Sequence, residues 1–317
     1  MCGTEIPEEA GVVATDQGPV RGTSVGEVWA YRGIPYAAPP VGALRFSPPE
    51  PHGCFDGVFE AADFGNQCPQ MRVDEQGTVT GVDGAEDCLT LNIWAPSGAT
   101  NAPVLFFIHG GGNVQGSSSE VTRDGTTQIY DGAALAAQEH AIVVTINYRL
   151  GHLGWLVHDE LAAESPDGVS GNYGLRDQVH ALQWVHRNIA GFGGDMSRLL
   201  IFGESAGAVN VCNLVATPLA ANLFSAAIME SGSCHARPVA QLATVTADLL
   251  EATGCADIAC LRATDAQILL MALPATADVV GVGQVSPGPA IDGRCCRSIR
   301  WKCWRAARIT TFRSSSE

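Results

Sequence analysis

The stretch that decides the fold is Arg198-Leu199-Leu200-Ile201-Phe202-Gly203-Glu204-Ser205-Ala206-Gly207-Ala208. Its apolar first half predicts a buried strand over 198–202, and the residues that follow predict a helix over 206–215. Glycines two positions before and after the serine let neighbouring backbone pass close, because they carry no Cβ. This pattern between a strand and a helix is typical of a nucleophilic serine that projects from a sharp turn. The alternative, an ordinary strand-to-helix turn, is disfavoured by this setting.

Strands and helices alternate on both sides of this turn. The apolar runs at 103–108, 141–146 and 224–229 predict buried strands, and residues 11–36 predict a small strand meander. Helices are predicted over 132–140, 175–189, 239–252 and 265–273. This alternation predicts an α/β fold with a mostly parallel sheet and helices on both faces.

A second motif, His109-Gly110-Gly111-Gly112, ends the predicted strand 103–108. Attack by a serine places negative charge on an ester oxygen, and backbone N–H groups stabilise that charge. We expect Gly111, Gly112 and Ala206 to supply three such donors. A flexible glycine loop is the alternative interpretation of the motif.

Several blocks of the chain resemble the type-B carboxylesterases, the family that includes the cholinesterases. The resemblance is carried in order by Tyr31–Tyr36, Asn66–Pro69, Glu86–Trp94, Asn172–Gln178 and Ile201–Ala208, and it extends over most of 11–292. It implies the α/β-hydrolase fold and hydrolysis of a small-molecule carboxylic ester through an acyl-enzyme on Ser205. It also implies that Glu204 tunes the site electrostatically and that His109 shapes the glycine loop without acting as the base.

The resemblance implies two disulfides, Cys68–Cys88 and Cys255–Cys260. It offers no partner for Cys54, Cys212 and Cys234, for which buried free thiols are the simplest interpretation. Eleven cysteines favour an oxidising, extracytoplasmic compartment, although no signal-peptide pattern is visible. Cys2 near the start suggests a lipid anchor on a mature lipoprotein, and a chance cysteine explains it equally well.

The resemblance indicates the substrate class, and the composition excludes some classes of partner. Family members that bind choline stack it on a tryptophan between the first two paired cysteines, whereas residues 69–87 contain no aromatic residue. Neutral esters are therefore expected. A net charge of −15 argues against nucleic acid, and the absence of about 18 consecutive apolar residues argues against a transmembrane helix. No metal cluster or nucleotide loop is visible, so no cofactor is expected.

The base and acid that a serine nucleophile needs are harder to place. His235 is the one histidine after Ser205, and it lies in a region where the family has no base, so it is a weak candidate. The resemblance places the catalytic acid and histidine beyond residue 317. We therefore expect this chain to be close to inactive. The alternatives are a non-catalytic binding or adhesion protein and a non-functional truncated fragment.

A sharp change in composition follows Gly293. The chain has 18 basic residues, of which seven lie after this point, against one acid there, and residues 1–293 have a net charge of −21. A one-base shift at codon 293 would restore a carboxylesterase-like continuation. We thus expect three segments: a leader remnant or tail at 1–10, the front part of a hydrolase domain at 11–293, and an out-of-frame tail at 294–317.

Overall fold

A computed structural model describes Cys2 and residues 7–74, 76–122, 124–274 and 287–295. Of the expected leader remnant at 1–10, the structure describes Cys2 and residues 7–10. The expected out-of-frame tail lies outside the described residues except for Arg294 and Cys295. Across the described ranges, no helix is both long and apolar enough to cross a membrane.

The strands are given in chain order, as β1 to β14: Val12–Thr15, Gly18–Arg21, Thr23–Val25, Val28–Pro35, Phe59–Glu60, Gln70–Val73, Val79–Asp83, Thr90–Pro96, Ala102–Ile108, Ile142–Ile146, Gly194–Glu204, Ala226–Glu230, Arg237–Pro238 and Ala290–Ile291. The helices α1 to α8 are Ala133–Glu139, Gly151–Trp155, Asp159–Glu164, Tyr173–Asn188, Ala206–Ala216, Val239–Thr253, Ile258–Ala263 and Ala266–Ala272. The predicted helices are all present, each within three residues of its expected bounds.

The central sheet has the order β12-β11-β9-β10-β8-β4-β3. Its first four strands are parallel, and β10, β8, β4 and β3 pair antiparallel. Within the described part of the chain, the sheet is therefore mixed, and the expected parallel arrangement is confined to four strands, which include the two that carry the motifs. The carboxyl ends of parallel strands meet at one edge, which brings the ends of β9 and β11 together.

The core lies between this sheet and its helices. Strand β10 is buried at all five positions, and Phe106 and Ile108 on β9 are fully buried. Continuous apolar strands of this kind belong to parallel sheets that are covered on both faces. Trp184 on α4 is also fully buried and donates a hydrogen bond to Gln17 Oε1 at 2.5 Å.

A buried ion pair fixes the connection between β10 and α4. Arg149 donates to both carboxylate oxygens of Asp177, at 2.8 and 2.7 Å, and also to the Ser47 carbonyl oxygen at 2.8 Å. The two side chains are 3% and 0% exposed. Burial of such a pair is tolerated because both partners are hydrogen bonded.

Four disulfides are present among the described residues. Two of them, Cys68–Cys88 and Cys255–Cys260, are the pairs that the resemblance implied. The expectation of free thiols is wrong for Cys54, Cys212 and Cys234, because Cys2 pairs with Cys54 and Cys212 with Cys234. Their Cα atoms lie 5.7 and 5.3 Å apart, within the usual range for a disulfide. A sulfur bonded to Cys54 has no valence left for a lipid thioether, so the disulfide and the anchor at Cys2 exclude each other.

Candidate active site

Ser205 lies at the turn between β11 and α5 in a conformation that few side chains adopt. Its φ is 55° and its ψ is −117°, a strained region that persists where the surroundings enforce it. Its N–H donates to the Glu230 carbonyl oxygen at the end of β12, at 2.8 Å. The predicted sharp turn is therefore present, and it is held by the neighbouring strand.

The two glycines that flank Ser205 are required by close contacts. A Cβ on Gly207 would lie 2.1 Å from the Ile108 carbonyl oxygen, and a Cβ on Gly203 would lie 2.6 Å from the Gly207 carbonyl carbon. Both distances are too short for a real side chain. Glycine at these positions lets α5 start directly against the end of β9.

The glycine loop, residues 109–116, lies directly beside Ser205. A Cβ on Gly110 would lie 3.3 Å from Ser205 Cβ. Gly111 and Gly112 have φ values of 92° and 65°, which L side chains rarely adopt. The structure thus brings the two sequence motifs together at the carboxyl edge of the sheet.

The N–H groups of Gly111, Gly112 and Ala206 have no hydrogen-bond acceptor among the described residues. The following turn uses the carbonyl oxygen of Gly111 and not its N–H group. Val114 and Gln115 donate to that oxygen at 3.1 and 3.0 Å. Ala206 is the first residue of α5, where N–H groups are left unpaired by helix geometry. Such groups are suited to bind an anion.

His109 is 1% exposed and stacks on Tyr148, with ring centroids 4.4 Å apart. Burial lowers its pKa to about 4. The ring is therefore neutral at pH 7, and its Nδ1 lies 2.9 Å from the Gly110 carbonyl oxygen, to which it donates. Tyr148 donates its hydroxyl to the His109 carbonyl oxygen at 2.9 Å. These contacts place His109 as a support of the glycine loop.

Acidic groups surround the same edge. Glu204 is exposed, and its Oε2 would lie 2.8 Å from a Cβ on Gly110. The pKa of Tyr130 is raised, first by burial and then by the charges of Glu120 and Glu204. The negative potential at this edge does not favour an anionic substrate.

A base for Ser205 is absent from the described part of the chain. All eight histidines are described, and no described side chain forms a hydrogen bond with Ser205 Oγ. His235 is exposed on the segment after β12, and its carbonyl oxygen accepts from Asn213 at 3.1 Å. Across the same described ranges, no group of His, Cys, Asp and Glu side chains is arranged to hold a metal ion.

Sequence reasoning missed three amide side chains at this site. Gln70, Asn113 and Asn210 contact the glycine loop or belong to it. Asn113 directly follows the glycines and Asn210 lies one turn after Ala206, so their positions were a usable signal. Gln70 lies two residues after Cys68, and nothing in the local pattern indicates its target.

The chain matches a family model described as the carboxylesterase family, over residues 9–303. It is 41% identical over 292 residues to a fumonisin B1 esterase of Sphingopyxis macrogoltabida, covering 90% of this chain and 51% of that protein. It is 42% identical over 245 residues to a para-nitrobenzyl esterase of Bacillus subtilis (strain 168), covering 77% of this chain and 48% of that protein. The chain spans about half the length of the curated relatives it matches.

Solved structures show the same relationship. A PNB esterase superposes with a TM-score of 0.78 at 38% identity, over 90% of this chain and 58% of that one. A Geobacillus stearothermophilus carboxylesterase gives a TM-score of 0.76 at 40% identity, over 91% of this chain and 57% of that one. The fold is therefore the expected α/β-hydrolase fold, and the chain belongs to the carboxylesterase family.

Proposed function

We propose that this chain carries the nucleophile and the anion-binding donors of a serine carboxylesterase. The observation that supports this most directly is the strained turn at Ser205, beside which the N–H groups of Gly111, Gly112 and Ala206 have no acceptor among the described residues. A non-catalytic binding protein of the same fold would need neither feature.

In the proposed reaction, Ser205 Oγ attacks the carbonyl carbon of an ester while its proton passes to a general base. The carbonyl oxygen becomes an oxyanion, which the three N–H groups stabilise. The C–O bond to the alcohol then breaks, and the alcohol leaves with the proton from the base. Water attacks the acyl-enzyme in the same way, which releases the carboxylic acid and restores Ser205.

The proposed substrates are neutral carboxylic esters. Residues 69–87 provide no aromatic ring for a quaternary ammonium group, and the acidic groups near Gly110 disfavour anionic esters. No cofactor is proposed for this chemistry. The four disulfides support an oxidising, extracytoplasmic location.

We further propose that residues 1–317 by themselves turn over slowly. No described histidine is hydrogen bonded to Ser205, and a site with an oxyanion hole but no base retains only weak catalysis over water. The base and its carboxylate would then have to come from sequence other than the described residues. The reading-frame shift near codon 293 remains a prediction, which resequencing of codons 290–300 tests.

The test is to label the 317-residue chain with a fluorophosphonate and to locate the adduct by peptide mass spectrometry. We expect slow labelling confined to Ser205, loss of that adduct in Ser205→Ala, and hydrolysis of 4-nitrophenyl acetate close to the Ser205→Ala background. The same peptide digest, run without reduction, can also show whether Cys54 is disulfide-bonded to Cys2.

Other outcomes are equally decisive. Labelling that persists elsewhere in Ser205→Ala, with none at Ser205 in the parent, contradicts the serine mechanism and favours a binding role. Rapid hydrolysis that disappears in Ser205→Ala supports the mechanism and contradicts the absence of a base.

A further inference from the structure

The glycine loop is held by side-chain amides at two points, both of which follow the predicted oxyanion donors Gly111 and Gly112 in the chain. At residue 113 the contact comes from α5, which also carries Ala206. At residue 116 it comes from β6, next to the Cys68–Cys88 disulfide. We propose that Asn210 and Gln70 are positioning residues that fix Gly111 and Gly112 relative to Ser205. This inference rests on the proposed esterase function.

The first contact joins the loop to the nucleophile helix. Asn210 Nδ2 donates to Asn113 Oδ1 at 2.8 Å, and both residues are buried. Asn113 has a φ of 60°, and its carbonyl oxygen accepts from Gly151 at 2.7 Å. Because Asn210 lies one helical turn after Ala206, this bond connects the donors on the loop with the donor on α5.

The second contact joins the loop to β6. Gln70 Oε1 accepts from the Gly116 N–H at 2.8 Å, and Gln70 Nε2 donates to the Gly116 carbonyl oxygen at 3.0 Å. The same nitrogen donates to the Cys68 carbonyl oxygen at 3.0 Å. A side-chain amide thus satisfies both backbone groups of one loop residue, as a neighbouring strand would.

Both contacts hold loop residues that lie within four positions after Gly112. A glycine-rich loop has many accessible backbone conformations, and donors stabilise an oxyanion best when they are oriented before the charge forms. The described hydrogen bonds of Gln70 and Asn210 restrict the loop, and neither side chain is hydrogen bonded to Ser205. They act through the loop, so neither residue is proposed as catalytic.

The proposal is tested by hydrogen exchange of the 317-residue protein, read on peptides that cover residues 109–116. Asn210→Leu and Gln70→Met keep the approximate volume and remove the hydrogen bonds. We expect exchange in this segment to be roughly tenfold faster in each variant. Asn213→Leu is the matched control, because it also removes a buried amide from α5. The Asn213 amide donates to the carbonyl oxygens of Val209 and His235.

A second readout separates positioning from general destabilisation. The maximal rate of fluorophosphonate labelling at Ser205 should fall by roughly ten- to 10²-fold in Asn210→Leu and Gln70→Met, with the half-saturating concentration unchanged. Exchange in 109–116 that equals that of the parent, or of Asn213→Leu, would overturn the inference. Failure to label Ser205 in the parent would instead contradict the proposed function, and the exchange result would still decide the role of the two amides.

Discussion

Cys212 on α5 is bonded to Cys234 on the segment after β12, with their Cα atoms 5.3 Å apart. This disulfide joins two elements that both contact Ser205. Ser205 donates its N–H to Glu230, and a Cβ on Gly232 would lie 2.6 Å from the Ser205 carbonyl oxygen. The segment that carries Cys234 therefore packs directly against the turn that contains Ser205.

Removal of this disulfide should destabilise the protein more than removal of the short one at Cys255. The bonded residues are 22 apart in the first case and 5 apart in the second. Loop-closure entropy then predicts a loss of about 3 kcal/mol for Cys212→Ser with Cys234→Ser, and about 2 kcal/mol for the shorter loop. Urea unfolding of the two double variants measures the difference, and a larger loss for the short loop would contradict it.

Substitution of the loop glycines should slow the labelling of Ser205, more strongly at Gly111 than at Gly110. A Cβ on Gly111 would lie 2.2 Å from the Gln115 carbonyl oxygen at a φ of 92°, whereas a Cβ on Gly110 would lie 3.0 Å from the Glu204 carbonyl oxygen. We expect the labelling rate to fall roughly 10²-fold or more in Gly111→Ala and roughly tenfold in Gly110→Ala. Gly53→Ala is the control, since its Cβ would meet nothing within 4 Å. Equal rates in all three variants would exclude a role for the loop.

His109 should make the folded state sensitive to acid. Burial lowers its pKa to about 4, while an unfolded chain binds the proton near pH 6.5. The unfolded state therefore binds more protons between these values, and stability falls as the pH drops from 6.5 towards 4, by about 3 kcal/mol from this group.

The variant His109→Gln removes this contribution. The free energy of unfolding of the parent should fall more between pH 7 and pH 4.5 than that of the variant. His152 and His180, whose pKa values are also lowered by burial, are present in both proteins, so the difference reports His109. Parallel curves for the two proteins would show that the ring is not held neutral.

The ion pair between Arg149 and Asp177 should be far more important for stability than an exposed pair. Asp177→Asn leaves a buried guanidinium without its full charge partner, which costs about 3–5 kcal/mol. Asp83→Asn breaks the pair with Arg72, whose side chain is 54% exposed, and should cost less than about 1 kcal/mol. Thermal unfolding of both variants provides the comparison, and similar losses would refute the distinction.

The strands that carry the site were predictable because their signals are local. The apolar run 103–108 and the stretch 198–208 each contain their own strand, and the glycines after them mark where each strand ends. Strand β8, Thr90–Pro96, was not predicted although it is almost wholly buried. It pairs antiparallel with both β4 and β10, and its position is set by those neighbours rather than by its own pattern.

The sequence by itself determined the fold family, the turn at Ser205 and the glycine loop, because each is encoded in consecutive residues with fixed conformational needs. Only the tertiary structure decided the pairing of Cys212 with Cys234 and the two amide contacts of the loop. Gln70 lies 46 residues from Gly116, and Asn113 lies 97 residues from Asn210. Such contacts depend on how the strand ends converge at one edge of the sheet, which no local pattern records.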